Sequence, residues 1–179
     1  ETVSGFDLSE ASREAAAASG VTISASVRAA IEGADVIVTM LPAGRHVISV
    51  WTELLAEAAP GTLLIDCSTI DVDSARKAHA LAAEHGCLSL DAPVSGGTGG
   101  AAAGTLTFMA GGSADVFSRS EPILKLMGKR IVHCGDAGAG QAAKICNNMI
   151  LGVTMAAVSE AFVLGEKLGL SHQALFDVA

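Results

Sequence analysis

Two unbroken apolar runs in the first half of the chain constrain its fold more than any other feature. ADVIVTMLP, at residues 34–42, and TLLIDCST, at residues 62–69, carry apolar side chains at successive rather than alternate positions. Strands of this kind are buried on both faces, as in parallel sheets that helices cover on either side. Helical stretches at residues 44–59 and 71–84 supply such layers. The sequence therefore predicts an α/β fold with a doubly wound, mostly parallel sheet.

The rest of the first 138 residues continues this alternation of strands and helices. We expect further strands at residues 3–6, 21–23, 87–90, 106–110 and 130–134, and further helices at residues 9–19, 26–31 and 113–127. A long helix then starts near Ala139 and continues to Leu168. At about 1.5 Å per residue it is roughly 45 Å long, which exceeds the width of one sheet layer. Such a helix usually links two domains or enters a dimer core.

The beginning of this long helix places polar side chains on an otherwise apolar segment. Lys144, Asn147 and Asn148 lie three and four residues apart, so on a helix they point to the same side. The segment then stays apolar until Glu160, so we expect a buried helix. Burial would lower the pKa of a lysine toward neutrality and make its amine a proton acceptor. A structural lysine that is ion-paired or reaches solvent is the alternative.

Composition excludes several classes of function. The net charge of −8, the pI near 5.0 and an aromatic content of 3% argue against a nucleic-acid partner. Mean hydropathy is high at +0.49, but the longest uncharged apolar run, Met149–Ser159, is too short to cross a membrane. The four cysteines form no CxxC pair and show no metal-ligand spacing with the histidines. We therefore expect a cytoplasmic protein with reduced cysteines, no metal and no membrane partner.

Four groups of residues lie at the ends of predicted strands, at the edge where open α/β sheets bind ligands. Met40–Pro42 and Cys67–Thr69 end the two central strands, although ordinary strand termination would give the same pattern. The glycines after Ser95 would let backbone N–H groups approach a small anion such as a carboxylate, or would form a flexible turn. Asp7 ends the first strand of this chain, and in dinucleotide-binding sheets an acidic residue at the end of the second strand binds ribose hydroxyls. The same residue could instead cap the next helix.

Three motifs carry a resemblance to a known family. DAPVSGG with GTLTFMAGG, followed by GAGQAAKICNN, strongly resembles the β-hydroxyacid dehydrogenases, and MLP, IDCSTID and MGKRIVHCGDAGAG fit in the same order. The resemblance covers the whole chain. It implies that Lys144 is the catalytic lysine and that Asn148 holds the reacting hydroxyl of the substrate.

The resemblance also implies a substrate site and a cofactor site. The substrate carboxylate would be bound by the loop of Ser95, Gly96 and Gly97. NAD would contact Leu41, Pro42 and Thr69. Asp7 would favour NAD over NADP, since no arginine follows it directly.

The implied activity is NAD-dependent oxidation of a small hydroxyacid by hydride transfer, with the lysine as acid and base. ICNNM and IDCSTID favour members that convert 3-hydroxyisobutyrate to methylmalonate semialdehyde in valine catabolism. A reductase of tartronate or succinic semialdehyde remains an alternative, as does a non-catalytic dehydrogenase-like scaffold. An imine-reducing relative is disfavoured because the lysine is typically replaced there. We also expect a homo-oligomer, either a dimer or a tetramer.

The sequence departs from the family at both ends. The family opens with a strand and a GxGxxG phosphate loop and closes with an all-helical domain, and neither pattern occurs here. We therefore expect an incomplete Rossmann-type domain lacking its first strand at residues 1–138. Residues 139–179 would form a long interdomain helix and the start of a truncated helical domain. A chain of this kind is expected to bind NAD poorly and to be weak or inactive alone.

Overall fold

The computed structural model describes residues 2–179, which fall into two compact units, residues 2–142 and 143–179. The strands, in chain order, are β1 (Ser4–Gly5), β2 (Thr22–Ile23), β3 (Val36–Thr39), β4 (Leu63–Asp66), β5 (Leu88–Asp91), β6 (Val94–Ser95), β7 (Leu106–Gly111) and β8 (Gly128–Gly135). The helices are α1 (Glu10–Ala18), α2 (Val27–Ile31), α3 (Gly44–Leu55), α4 (Val72–Glu84), α5 (Gly97–Ala102), α6 (Ala114–Met127), α7 (Ala139–Lys167) and α8 (His172–Val178).

The main sheet confirms the predicted α/β architecture. β3, β4 and β5 are parallel neighbours, and β8 runs parallel to β7. β5 and β6 both pair antiparallel with β7, a feature that the sequence analysis did not predict. The connection from β6 to β7 contains only the short helix α5, whereas a parallel crossover needs a dozen or more residues. β1 and β2 form a separate parallel pair.

The sheet is buried on both faces at β4, as its apolar run predicted, but not at β3, where Val38 is 47% exposed and the prediction from the first run is wrong. All four residues of β4 are buried. Leu64 packs in a cluster with Trp51 of α3 and Ala78 of α4, whereas Ile65 packs in a second cluster with Phe108 of β7. Successive side chains of a strand point to opposite faces, so α3 and α4 form one covering layer and α6 forms the other.

Helix α7 differs from the sequence prediction in its burial. We expected a buried helix, but within its own unit Ile145, Met149, Ile150 and Val153 are between 48% and 66% exposed. A single helix that is apolar on every side cannot be covered by the short helix α8 alone. Contrary to the sequence estimate, α7 is also long and apolar enough to span a membrane by length and composition. Core helices of soluble proteins meet the same criterion, so this is weak evidence.

Candidate functional site

A buried polar network joins the carboxyl ends of β3 and β4. Thr39 Oγ1 donates a hydrogen bond to Asp66 Oδ1 over 2.7 Å, and Ser68 Oγ donates to the same oxygen over 2.6 Å. Trp51 Nε1 in turn donates to Thr39 Oγ1 over 3.1 Å, and the Leu41 N–H donates to Ser68 Oγ over 2.8 Å. Each hydroxyl therefore accepts one hydrogen bond and directs its own proton to Asp66.

The carboxyl group at the centre of this network lies in an environment that favours its neutral form. Burial raises the pKa of Asp66, and this effect exceeds the lowering by hydrogen bonds from Ser68 and Thr39. The nearby Asp91 carboxylate also raises it. The second oxygen, Oδ2, is buried without a hydrogen-bond partner. One oxygen of Asp66 thus organises the network while the other is unused.

The network brings together three of the residues predicted to contact the cofactor. Leu41 and Pro42 follow β3, Thr69 follows β4, and the Cys67 N–H donates to the Thr39 carbonyl over 2.7 Å. Pro42 and Thr69 are exposed, and Leu41 is half-buried. The result is an apolar surface with one exposed hydroxyl, supported from below by buried hydrogen bonds. Such a surface is suited to a ring system with a few polar groups, as in a dinucleotide.

A second buried carboxylate, Asp91 at the end of β5, binds the first turn of α7. Asp91 Oδ1 accepts the Gly138 N–H over 2.8 Å, and Oδ2 accepts the Gln141 N–H over 2.9 Å. His79 Nε2 lies 2.9 Å from Oδ1, and Ser89 Oγ lies 2.8 Å from His79 Nδ1. The first N–H groups of a helix have no partner within the helix, so Asp91 serves as its cap from another strand.

The side chain of Gln141 connects α7 to the segment after β4. Gln141 is fully buried, its Nε2 donates to the Ser68 carbonyl over 2.7 Å, and its Oε1 accepts the Ile70 N–H over 3.1 Å. Thr69 lies between these two backbone groups. Neither Asp91 nor Gln141 was predicted from the sequence as a site residue. The signal available was an acidic residue at a strand end and a polar residue in the first turn of an apolar helix.

Two glycines allow the start of α7 to lie directly on the sheet. A Cβ atom at Gly140 would lie 2.8 Å from Asp91 Oδ2, and one at Gly111 would lie 2.6 Å from the Gly140 nitrogen. Neither position leaves room for a side chain. This close approach brings the backbone N–H groups of the helix within reach of Asp91.

The predicted substrate loop lies between β6 and α5. Ser95 is the last residue of β6 and pairs with Thr107, while Gly97 is the first residue of α5. Gly96 and Gly97 have φ angles of +130° and +62°, which disfavour any residue with a side chain. Both glycines are exposed, and Ser95 is half-buried. The sequence predicted a loop or turn in this segment, and the structure adds the short helix α5.

Asp7 is exposed and lies just after β1, in the separate two-stranded sheet. Its Oδ1 accepts the Ser9 N–H over 2.7 Å, and its carbonyl accepts a hydrogen bond from Arg13 Nη1 over 2.6 Å. Ser9, rather than Asp7, caps α1 by accepting the Ser12 N–H. The alternative that Asp7 is the helix cap is therefore wrong.

The second unit carries the two residues predicted to be catalytic. Lys144 and Asn148 are both in α7, one turn apart, as predicted from their spacing. Lys144 is half-buried, and Asn148 is exposed. Asn147 Nδ2 lies 3.4 Å from Asn148 Oδ1, so the two amides are neighbours at the surface of the helix.

A cavity of about 820 Å³ lies in the first unit. It is lined by residues that precede β3 and β4, among them Gly33, Ala34, Gly61 and Thr62. These positions are at the amino ends of the parallel strands, opposite to the edge where open α/β sheets bind ligands. The polar networks therefore locate the candidate site better than cavity size does.

Two curated relatives of this chain are both named dehydrogenases. A probable 3-hydroxyisobutyrate dehydrogenase from Mycobacterium tuberculosis is 56% identical over 176 residues, which cover 98% of this chain and 60% of that protein. An NAD-dependent L-serine dehydrogenase from Pseudomonas aeruginosa is 49% identical, covering 97% of this chain and 59% of that protein. The chain thus spans about 60% of the length of the curated relatives that it matches.

A solved structure and two family models agree with these relatives. The structure of Mycobacterium tuberculosis 3-hydroxyisobutyrate dehydrogenase with L-serine matches with a TM-score of 0.96 and 56% identity, over 99% of this chain and 61% of that chain. Residues 138–179 match a model described as NAD-binding of NADP-dependent 3-hydroxyisobutyrate dehydrogenase. Residues 1–135 match the NAD binding domain of 6-phosphogluconate dehydrogenase. Because the family models and the relatives together match nearly the whole chain, the chain belongs to the β-hydroxyacid dehydrogenase family and contains its NAD-binding domain.

Proposed function

We propose that this chain carries the NAD-binding and catalytic residues of an enzyme that oxidises 3-hydroxyisobutyrate to methylmalonate semialdehyde, in valine catabolism. The observation that carries the proposal is the pair of Lys144 and Asn148, one turn apart on α7. The name of the relative from Mycobacterium tuberculosis, at 56% identity, supports the choice of substrate.

Oxidation of the alcohol removes a proton from its oxygen and a hydride from its carbon. NAD, when bound, accepts the hydride. In our proposal the neutral amine of Lys144 takes the hydroxyl proton, and the resulting ammonium stabilises negative charge that develops on the oxygen. The side-chain amide of Asn148 donates a hydrogen bond to the same oxygen and keeps its protonation state throughout.

The carboxylate of the substrate is proposed to bind at Ser95, Gly96 and Gly97. The Ser95 hydroxyl and the backbone N–H groups of the two glycines are donors that suit an anion. The positive φ angles and the exposure of both glycines support this role, since no side chain covers the backbone there.

The cofactor is proposed to contact Leu41, Pro42 and Thr69, with Asp7 accepting hydrogen bonds from ribose hydroxyls. The buried network around Asp66 supports the first three residues, because it fixes the backbone on either side of the exposed surface. Leu8 and Ser9 follow Asp7, so no arginine comes directly after it in the sequence to bind the 2′-phosphate of NADP. The nearby Arg13 side chain donates to the Asp7 and Leu8 carbonyls.

The organisation of the molecule is part of the same proposal. Residues 1–138 would form the NAD-binding domain, and residues 139–179 an interdomain helix with the start of a helical domain. A cytoplasmic homo-oligomer is part of the proposal, and the exposed apolar side chains of α7 support the homo-oligomer, in which further protein surface covers this helix.

The central test is Lys144→Ala in the complete gene product, assayed with NAD and 3-hydroxyisobutyrate. We expect kcat to fall by about 10²- to 10⁴-fold, the usual contribution of a general acid or base. The dissociation constant for NAD, measured by calorimetry, should change by less than about twofold. Lys167→Ala, an exposed lysine at the end of the same helix, is the matched control. Near-normal turnover in the Lys144 variant would remove the catalytic assignment.

L-Serine is a second candidate substrate. A relative at 49% identity is named an NAD-dependent L-serine dehydrogenase, and the solved structure at 56% identity contains L-serine. L-Serine and 3-hydroxyisobutyrate share a carboxylate and a 3-hydroxyl, and differ by an amine in place of a methyl group. Comparing kcat/KM for both, with tartronate and succinic semialdehydes in the reverse direction, distinguishes the candidates. A higher kcat/KM for another substrate would overturn the assignment to 3-hydroxyisobutyrate.

A further inference from the structure

We propose that Gln141 is a positioning residue that presents Thr69 to NAD. This inference rests on the proposed role of Thr69 as a cofactor contact. It assigns a function to a buried side chain that takes no part in the chemistry itself. Gln141 would act only through the backbone on either side of Thr69.

The side-chain amide of Gln141 forms hydrogen bonds to that backbone. Its Nε2 donates to the carbonyl of Ser68, and its Oε1 accepts the N–H of Ile70, at 2.7 Å and 3.1 Å. Ser68 and Ile70 are buried, whereas Thr69 between them is exposed. One amide group thus fixes the residues before and after Thr69 and leaves its hydroxyl at the surface.

This pair of contacts requires a primary amide of the right length. The side chain must offer one donor and one acceptor at the same end, which Gln does and which ionised Glu, Leu and Met do not. Asn has the same amide on a shorter chain and would not reach both groups. We call this pair of hydrogen bonds, formed by the Gln141 amide with the Ser68 carbonyl and the Ile70 N–H, the clamp. The clamp explains why a glutamine stands here, because burial alone would be met by an apolar side chain.

The backbone of Gln141 is itself fixed. Its N–H donates to Asp91 Oδ2, and the neighbouring Gly138 N–H donates to Asp91 Oδ1. Gln141 therefore fixes the position of Thr69 relative to the end of β5. Lys144 follows Gln141 by three residues in the same helix, so one residue joins the first turn of the lysine's helix to the segment carrying Thr69.

The first measurement needs no cofactor. Amide hydrogen exchange at Ile70 is compared in wild type, Gln141→Leu and Ser120→Ala, with the complete gene product and under conditions where each is folded. Loss of the acceptor on the Ile70 N–H should speed its exchange by about tenfold or more in Gln141→Leu, because one hydrogen bond is lost. Ser120 is a fully buried polar control in α6, whose Oγ bonds only to the Val116 carbonyl in its own helix.

The second measurement is the dissociation constant for NAD, determined by calorimetry on the same proteins. We expect Gln141→Leu to weaken NAD binding by about tenfold, the equivalent of one lost hydrogen bond of ordinary strength. Ser120→Ala should bind NAD as wild type does, even where it lowers the melting temperature. A variant that unfolds more easily without touching Thr69 would behave like this control.

Gln141→Glu gives a variant whose NAD affinity should recover at low pH. When ionised, its carboxylate can accept the Ile70 N–H but presents a second oxygen to the Ser68 carbonyl, which weakens NAD binding. When protonated, its O–H donates to the Ser68 carbonyl and both bonds return. The deficit in NAD affinity should therefore shrink as pH falls. The wild type, measured over the same range, corrects for neighbouring groups that both proteins share: Asp66, Arg76, His79 and Asp91.

The outcomes separate this inference from the proposed function. Faster Ile70 exchange, weaker NAD binding in Gln141→Leu and recovery of Gln141→Glu at low pH together support the clamp. Wild-type NAD affinity or wild-type Ile70 exchange in Gln141→Leu would overturn it, as would a wild-type protein that does not bind NAD. If the wild type binds NAD but oxidises no hydroxyacid, the proposed function fails and the clamp is still decided by NAD affinity.

Discussion

Asp66 and Asp91 occupy equivalent positions and have different environments. They are register partners at the ends of the neighbouring parallel strands β4 and β5, and each is only 2% exposed. Asp66 accepts hydrogen bonds mainly from two hydroxyl groups on one oxygen, and its other oxygen has no partner. Asp91 accepts backbone N–H groups on both oxygens and also contacts His79.

This difference shows that position in the sheet does not determine what a buried carboxyl group does. Asp66 organises hydroxyls that can rotate, and an uncharged group with one acceptor would serve nearly as well. Asp91 faces the start of a helix, where N–H groups point outward and carry partial positive charge. Only a side chain with two acceptors and no donor satisfies that arrangement.

The largest effect is expected for Asp91→Asn. The new amide would place a donor against one of the N–H groups of Gly138 or Gln141, leaving that group buried and unpaired. We expect a loss of about 2–4 kcal/mol in the free energy of unfolding, from the unpaired group and its repulsion. Urea denaturation at pH 7 measures it. A loss below about 1 kcal/mol would show that the site of Asp91 tolerates an amide as well as we expect the site of Asp66 to do.

A smaller effect is expected for Thr39→Val, which keeps the shape of the side chain and removes its hydroxyl. The variant loses the donor to Asp66 and leaves the buried Trp51 Nε1 without its acceptor. The free energy of unfolding should fall by about 1–2 kcal/mol. Thermal or urea denaturation tests this, and Thr52→Val, a hydroxyl that bonds within α3, is the control. Equal losses in both variants would mean that the network around Asp66 adds no stability of its own.

Asp66→Asn should be better tolerated than Asp91→Asn and should depend on pH. Burial raises the pKa of Asp66 in the folded protein, so the folded state binds its proton more tightly than the unfolded state. The contribution of Asp66 to stability is then present at low pH and falls as pH rises from the unfolded value through the folded one. Asn does not titrate, so the stability of the variant relative to wild type should rise with pH. Denaturation curves with the same difference at pH 4 and pH 8 would contradict this.

The smallest effect concerns Cys67, which follows Asp66. Burial raises the pKa of its thiol to about 12, and the charge of Asp66 adds to the shift. The thiolate is the reactive form, so Cys67 should resist maleimide at pH 7–8 in the native protein and react on unfolding. Mass spectrometry of labelled peptides measures this. Rapid labelling of native Cys67 would show that the network around Asp66 opens to solvent.

The sequence predicts most of the fold because its strongest signals are local. Unbroken apolar runs identified β3 and β4, and the rule that parallel strands end at one edge predicted that Leu41, Pro42 and Thr69 would be neighbours. The antiparallel pairing of β7 was missed, since pairing depends on the path of the chain through α5 and not on the composition of β7. The prediction that α7 is buried was also wrong. An apolar composition indicates that a helix needs to be covered, but not which surface covers it.

The polar contacts of the site could not be predicted, and distance along the chain explains why. Asp91 and Gly138, or Ser68 and Gln141, are far apart in sequence, and no periodicity joins them. A motif identifies Lys144 by resemblance. Nothing in a motif indicates that a glutamine three residues earlier bonds the backbone beside Thr69.

The two glycines at the start of α7 have a consequence for engineering this protein. Because backbone meets backbone between Gly111 and Gly140, with Asp91 against both, even alanine at either position would push the strand and the helix apart. Libraries intended to change the preference for substrate or coenzyme should therefore hold these two codons constant. Substitutions are better made at exposed positions such as Met40 or Thr69, where a new side chain leaves the contact between the helix and the sheet unchanged.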